Sequence, residues 1–330
     1  MAYNRRTFIK TSALAVTGAG FSFNLPEIVS GTQNGKRVGI IGLDTSHSTA
    51  FTREFNQADA GPELGGYRVV AAYPYGSREI ESSYSRIPEY TEVVKNLGVR
   101  IVDSIEELLK ETDVILLNTN DGRLHLGQAL PVIRAGKRMF IDKPMTASLK
   151  DAVKIFEEAA LANTPVFSCS SLRYMENVQK AVQGEYGKIF GATPWSPAVL
   201  EKTHPDLFWY GIHGVETLIT AMGTGCKSLT RHFTEGTDVV TGFWEDGRIG
   251  TFRGIREGKS DYGGVAFTEK AVVNLGPYQG YKPMLVEIAR FFDTGITPVK
   301  PKETLEILAF MEAADSSRQQ NGARCVLPSF

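Results

Sequence analysis

The run Gly136-Lys137-Arg138-Met139-Phe140-Ile141-Asp142-Lys143-Pro144 sets an acid and a lysine at the end of a short apolar strand. About a hundred residues earlier, Val38-Gly39-Ile40-Ile41-Gly42 is an apolar strand that runs into glycine, the opening of a nucleotide-binding fold. A lysine at the carboxyl end of a parallel strand projects into the crevice where such sheets bind ligands. The proline that follows restricts the backbone and so aims the ammonium. A Lys-Pro turn on the surface is the alternative, and the order of the surrounding elements favours the crevice.

A dinucleotide-binding strand is normally followed by G-x-G-x-x-G, whose second glycine lets a pyrophosphate approach bare backbone at a helix N-terminus. Here the six positions are Gly42-Leu43-Asp44-Thr45-Ser46-His47, and only the first glycine remains. Asp44 puts a negative charge in the phosphate's place. Two like charges about 4 Å apart repel by roughly 1 kcal/mol in water and several times more in a partly desolvated crevice. Three arrangements are open. Asp44 caps the helix where a phosphate would otherwise bind. Alternatively a dinucleotide sits displaced, on the hydroxyls and amides of Thr45 and Ser46. In the third, Asp44 and His47 face a polar substrate or a metal ion. At the end of the second strand, Tyr73-Pro74-Tyr75-Gly76-Ser77-Arg78 lacks the acid that holds an adenosine ribose. Ser77 and Arg78 suit a 2′-phosphate, a lean toward NADP over NAD, unless Arg78 is only a solvated surface charge. After the fourth strand, Asn118 and Asn120 are uncharged donors suited to ligand contact, although asparagine is also a common turn residue.

These residues need a scaffold. From Lys36 to about Ser168, apolar strand-like runs alternate with helical periodicity, which predicts a parallel, doubly wound α/β sheet. Ser104 before Ile105-Glu106-Glu107 and Ser148 before Leu149-Lys150-Asp151 have the chemistry of helix N-caps. After Ser171 the rhythm changes to short strands with frequent glycine, expected at 188–192, 228–234, 238–244, 249–255 and 271–275, as a largely antiparallel open sheet. Helices are expected near 210–222, 284–293 and 303–317. The chain has 330 residues, long enough for two domains, here 36–168 and 169–330. Net charge of −1 gives no reason to expect nucleic acid or an anionic membrane as a partner. Cys169, Cys226 and Cys325 have no metal-ligand spacing and suit buried positions.

The order of elements and the D-K-P variant of an E-K-P signature after A-G-K resemble the Gfo/Idh/MocA family (glucose–fructose oxidoreductase, inositol dehydrogenase and rhizopine-catabolism proteins). The resemblance covers roughly residues 36 to 330. It implies a Rossmann-type domain, a second domain whose open sheet often forms a homodimer or homotetramer interface, and hydride transfer between a sugar or polyol carbinol and NAD or NADP. His125 matches a histidine that borders the nicotinamide. In Trp209-Tyr210-Gly211-Ile212-His213-Gly214-Val215-Glu216 the family pattern D-x-G-x-H-x-x-D makes His213 the acid/base and Glu216 the counterpart of the last acid. Lys143 would then hydrogen-bond the reacting oxygen, with Asp142 tuning it. Trp209 stands where the family has an aspartate, and Asp206 is a candidate replacement. Trp209 and Tyr210 suit stacking on a sugar face. The rival reading is a non-redox descendant that binds or transforms a carbohydrate, with Asp44, His47, His213 and Glu216 available as metal ligands.

Residues 1–35 are of another kind. Asn4-Arg5-Arg6-Thr7-Phe8-Ile9-Lys10 and the mildly apolar stretch to Phe23 resemble a twin-arginine export signal, too short for a permanent span. Export to the periplasm without stable membrane insertion is the expectation.

Overall fold

The structure, a computed structural model, describes residues 36–330, so the export signal expected before Lys36 lies outside the described residues. The first sheet holds β1 (Arg37–Ile41), β2 (Arg68–Tyr73), β3 (Arg100–Ile101), β4 (Val114–Leu117), β5 (Met139–Ile141) and β6 (Val166–Ser168). Their order is β3-β2-β1-β4-β5-β6 and every pair is parallel, a doubly wound sheet that reverses direction between β1 and β4. β4 shows why these strands are apolar throughout. Val114 and Leu116 enter one core with Phe51, Phe55 and the helix Lys282–Thr294, while Ile115 and Leu117 enter another with the helices His125–Arg134 and Leu149–Leu161. Both faces are covered, so alternation with polar residues has no use. The hydroxyls of Ser104 and Ser148 accept hydrogen bonds from Glu107 N at 3.1 Å and Asp151 N at 3.2 Å, and so cap their helices.

The second sheet contains β7 (Ile189–Pro197), β8 (Cys226–Thr234), β9 (Thr237–Trp244), β10 (Ile249–Ile255), β11 (Gly263–Thr268), β12 (Val272–Asn274) and β13 (Cys325–Val326). The order is β12-β11-β7-β10-β9-β8-β13. All pairs are antiparallel except β7 with β10, which run parallel. One face packs under the helices Ile212–Met222 and Pro301–Gln319, which place Leu218, Val240, Phe252 and Phe310 in a common core. The three cysteines are free and buried. Among the described residues no helix is long and apolar enough to cross a membrane.

The helix Lys282–Thr294 breaks the sequential layout. It comes after the second sheet but packs on the first, setting Met284, Leu285, Ile288, Phe291 and Phe292 against Val38, Ile40 and Val69. Tyr281, just before it, is thereby delivered to the mouth of the β1 crevice.

Candidate active site

The carboxyl ends of β1, β4 and β5 open on one pocket of about 410 Å³, within the range of small-molecule sites. Lys143, two residues past β5, lines it and is 8% exposed. Among the described residues its ammonium has no hydrogen bond; it lies 5.5 Å from the centre of the Tyr210 ring. Burial lowers its pKa, and the charge of Asp142 offsets part of the shift. Asp142 accepts from the Lys143 amide at 2.8 Å, and its other oxygen is 2.5 Å from His47 Nδ1. Burial by itself would raise the Asp142 pKa, but His47 and Lys143 more than compensate and hold it below the usual range.

His213 reaches the same pocket from the start of the helix Ile212–Met222. Its Nδ1 is 2.7 Å from Ser170 Oγ. Burial, with the nearby charges of Lys143 and His47, pushes its pKa well down, so the ring is neutral at pH 7 and can accept a proton. The tautomer that donates Nδ1–H to Ser170 leaves Nε2 free. Between the two histidines runs a wall of tyrosines. The rings of His47, Tyr281, Tyr278, Tyr262 and His213 follow one another at centroid separations of 4.8, 6.1, 5.8 and 5.5 Å. Tyr210 closes the series 5.9 Å from His213. Hydroxyl-bearing aromatic edges of this kind suit a polyhydroxy ligand.

Asp44 neither caps the helix after β1 nor joins His47 on the pocket wall. The helix Ser46–Asn56 is capped by Thr45, whose hydroxyl accepts from His47 N at 3.4 Å. Asp44 is fully buried and turns sideways. Its carboxylate accepts from Asn120 N at 3.0 Å and Ser77 N at 3.2 Å, tying the loop after β4 to the loop after β2. Burial pushes its pKa up to about 6 despite these bonds. A second tie, Asn120 Nδ2 to Ser83 Oγ at 3.0 Å, runs alongside. Gly42 has φ +91°, and a Cβ there would lie 2.5 Å from Thr119 N, so this glycine serves close packing of β1 on β4. The residues around Lys143 and His213 therefore fit the reactive end of a nicotinamide dinucleotide with its substrate. At the diphosphate end Asp44 stands in place of the second glycine, its carboxylate held by Asn120 N and Ser77 N, while Thr45 and Ser46 at the helix start line the pocket.

The remaining candidates scatter. Ser46 and Asn120 line the pocket with Lys143, as do Thr45, Trp209 and Tyr210. Ser77 and Arg78 do not; they line a separate cleft of about 280 Å³ with Tyr75 and Tyr84, and Arg78 lies 5.9 Å from the centre of the Tyr75 ring. The Asn118 side chain is buried without a partner and off the pocket wall. His125 is fully buried, with Nδ1 2.9 Å from Met145 O and Nε2 2.6 Å from Thr119 O, which leaves no nitrogen for a ligand. Glu216 lies off the wall, accepting from Ser170 N at 2.8 Å and Arg173 Nε at 2.9 Å, a brace under Ser170 and hence under His213. Asp206 cannot replace the aspartate missing at Trp209, because Arg231 and Arg318 hold it. Asp44, His47, His213 and Glu216 are thus each committed to protein partners, the last two both to Ser170, and no cluster of metal-ligating side chains occurs among the described residues. Sequence reasoning missed Arg86, Ser170, Tyr262, Tyr278 and Tyr281. None of them sits in a motif, and only the fold brings them to the crevice.

The profile of the oxidoreductase family with an NAD-binding Rossmann fold (Gfo/Idh/MocA) matches residues 36–168. A formate dehydrogenase of Candida boidinii is 26% identical over 176 residues, which are 52% of this chain but only 42% of that protein. Among solved structures, a probable dehydrogenase from Thermotoga maritima superposes with a TM-score of 0.72 at 18% identity, covering 88% of this chain and 98% of that one. The myo-inositol dehydrogenase of Lactobacillus casei, solved with NAD(H) and myo-inositol, gives 0.69 at 14%, covering 89% and 97%. These two likenesses establish the fold. The family profile spans the first sheet and its helices, so residues 36–168 are similar to the NAD-binding Rossmann domain of the Gfo/Idh/MocA oxidoreductases.

Proposed function

We propose that the protein is an exported sugar or polyol oxidoreductase that passes a hydride between a carbinol and NAD or NADP. The observation that carries this reading is the convergence of a buried, unbonded Lys143 and a neutral His213 on one tyrosine-walled pocket. A carbinol oxygen between them gives its proton to His213 Nε2, while the Lys143 ammonium stabilises the negative charge that develops on it. Asp142, held by His47, keeps the ammonium in place, and Ser170 orients the imidazole. A nicotinamide, when bound, supplies the hydride acceptor, so the carbinol becomes a carbonyl with loss of one hydride and one proton. Copies of the chain pair through the second sheet, whose strands expose Phe190, Ile249, Phe267 and Val272.

Asp44 favours a second reading, in which the same groups move a proton on a carbohydrate without any dinucleotide. One experiment separates the two. Purified full-length protein is denatured and the supernatant assayed by mass spectrometry, followed by turnover with a polyol panel and added NAD(P). Near-stoichiometric nucleotide, or nucleotide reduction in the assay, supports the first reading. Neither signal, with no thermal shift on adding NAD(P), leaves the second. Cell fractionation tests the export.

A further inference from the structure

Tyr262 lines two cavities. One is the pocket of Lys143 and His213; the other, of about 450 Å³, adjoins it at one end of the second sheet. The chain crosses the boundary between them, with Pro277 on the second cavity and Tyr278 on the first. The wall of the second cavity includes Trp195. Along β7 this residue alternates with buried Pro194 and Ser196, and Ser196 faces Gly214 in the helix Ile212–Met222, so the indole stands on the opposite face of the sheet. Gly263 of β11 pairs with it, and a Cβ there would lie 2.7 Å from the ring, so bare backbone is what lets the indole lie against that strand. Trp195 is part-exposed, and its Nε1–H finds no acceptor among the described residues. The Lys259 ammonium and the Asn274 amide nitrogen are likewise unpaired among the described residues, and Asp261 has one oxygen free beside the one that accepts from Tyr262 N at 2.7 Å. An indole with unpaired donors and an acceptor around it matches a sugar ring, whose C–H face packs on the aromatic and whose hydroxyls reach the rim. Lys259 and Asp261 balance in charge, which favours a neutral unit over an anion or a cation. The apolar patch of Phe190, Ile249, Phe267 and Val272 is elsewhere. From Phe190 to Trp195 the strand runs about 16 Å at roughly 3.3 Å per residue, so the cavity is separate from it.

We propose that this cavity is a second sugar subsite, and that the substrate is a disaccharide or other neutral glycoside. Its reacting unit sits between Lys143 and His213, and the neighbouring unit packs on Trp195 beyond Tyr262, with its hydroxyls on Lys259, Asp261 and Asn274. The proposal rests on the reading of the first pocket as a sugar or polyol site, and it adds that the ligand is longer than that pocket.

Full-length wild type, Trp195→Ala and Lys259→Ala are titrated calorimetrically with matched pairs: D-glucose with cellobiose and maltose, D-galactose with lactose, and myo-inositol with galactinol. UDP-glucose is a further probe. The expected result is that the wild type binds the two-ring member of at least one pair at least about tenfold more tightly than its one-ring partner, the worth of an aromatic contact and a hydrogen bond. Trp195→Ala abolishes that gain while the one-ring ligand stays within about twofold. Lys259→Ala, a change at an exposed side chain that leaves the sheet untouched, reduces the gain as well. If the one-ring ligands bind and the second ring adds nothing, or if the gain survives both substitutions, there is no second subsite and the sugar reading of the first pocket stands. Binding of no ligand in any pair removes both. If UDP-glucose alone binds and Trp195→Ala weakens it, the indole holds a nucleobase and the second sugar is refuted. None of these readouts needs turnover, so failure of the redox reading is registered separately.

Discussion

Asp44 should make the pH dependence of stability a signature of this loop. Its carboxylate is fully buried, accepts two backbone N–H groups and has its pKa pushed up to about 6, against about 3.9 in the unfolded chain. A folded-state pKa above the unfolded value means that the native state binds the proton more tightly. Its contribution is therefore most favourable below about pH 4 and is lost as pH rises through about 6. Between about pH 5 and about pH 8 linkage gives a loss of about 1.4 kcal/mol from this one group, tenfold in the folding equilibrium. Asp44→Asn removes the titration. It also sets an amide NH₂ where both neighbours are donors, so about 1–3 kcal/mol is lost at every pH. Denaturant unfolding of wild type and variant, run in parallel at the two pH values, isolates the titration. The deficit of the variant should shrink by about 1.4 kcal/mol on going to the higher pH. Two proteins whose stabilities move in parallel would show that Asp44 does not hold a raised pKa and that the burial argument is wrong.

Three further outcomes follow. Asp44→Gly frees the amides of Ser77 and Asn120 and removes the like charge, so NAD or NADP should bind at least about tenfold tighter by fluorescence titration; an unchanged dissociation constant would mean that the cradle is closed by something other than Asp44. Lys143→Met deletes an ammonium that has no hydrogen bond, so the melt should stay within a few degrees while turnover falls by roughly two to three orders of magnitude; retained turnover removes Lys143 from the chemistry. Glu216→Gln leaves buried Arg173 with Glu303 as its only carboxylate among the described residues, so stability should drop by about 1–3 kcal/mol with KM little changed; a large change in KM would place Glu216 in contact with substrate.

The first sheet was legible because both its faces are buried, which makes each strand an unbroken apolar run such as Val114–Leu117 between capped helices. The second sheet was legible only in part. β11 begins Gly263-Gly264, residues that point to a loop, and its place beside β7 rests on tertiary pairing. The parallel contact of β7 with β10 has no local signature at all. In the site, Lys143 and Asp142 could be placed because the end of a strand dictates where they go. Asp44, His125 and Glu216 could not, because a polar residue at a helix start or in a helix looks the same whether it faces a ligand or a neighbouring backbone. Tyr262, Tyr278, Tyr281 and Arg86 are common residues in unremarkable contexts, and their convergence is a product of the fold.

The helix Lys282–Thr294 has a consequence for how the chain is made. It supplies Met284, Leu285, Ile288, Phe291 and Phe292 to the face of the first sheet that also holds Val38, Ile40 and Val69. During synthesis, the first sheet is complete in its strands by Ser168 but lacks this covering until more than a hundred further residues have left the ribosome. A ribosome adding about 5–20 residues each second leaves that apolar face open for several seconds or longer. The pocket is therefore completed only late in translation, when Tyr281 arrives with the helix that finishes this core.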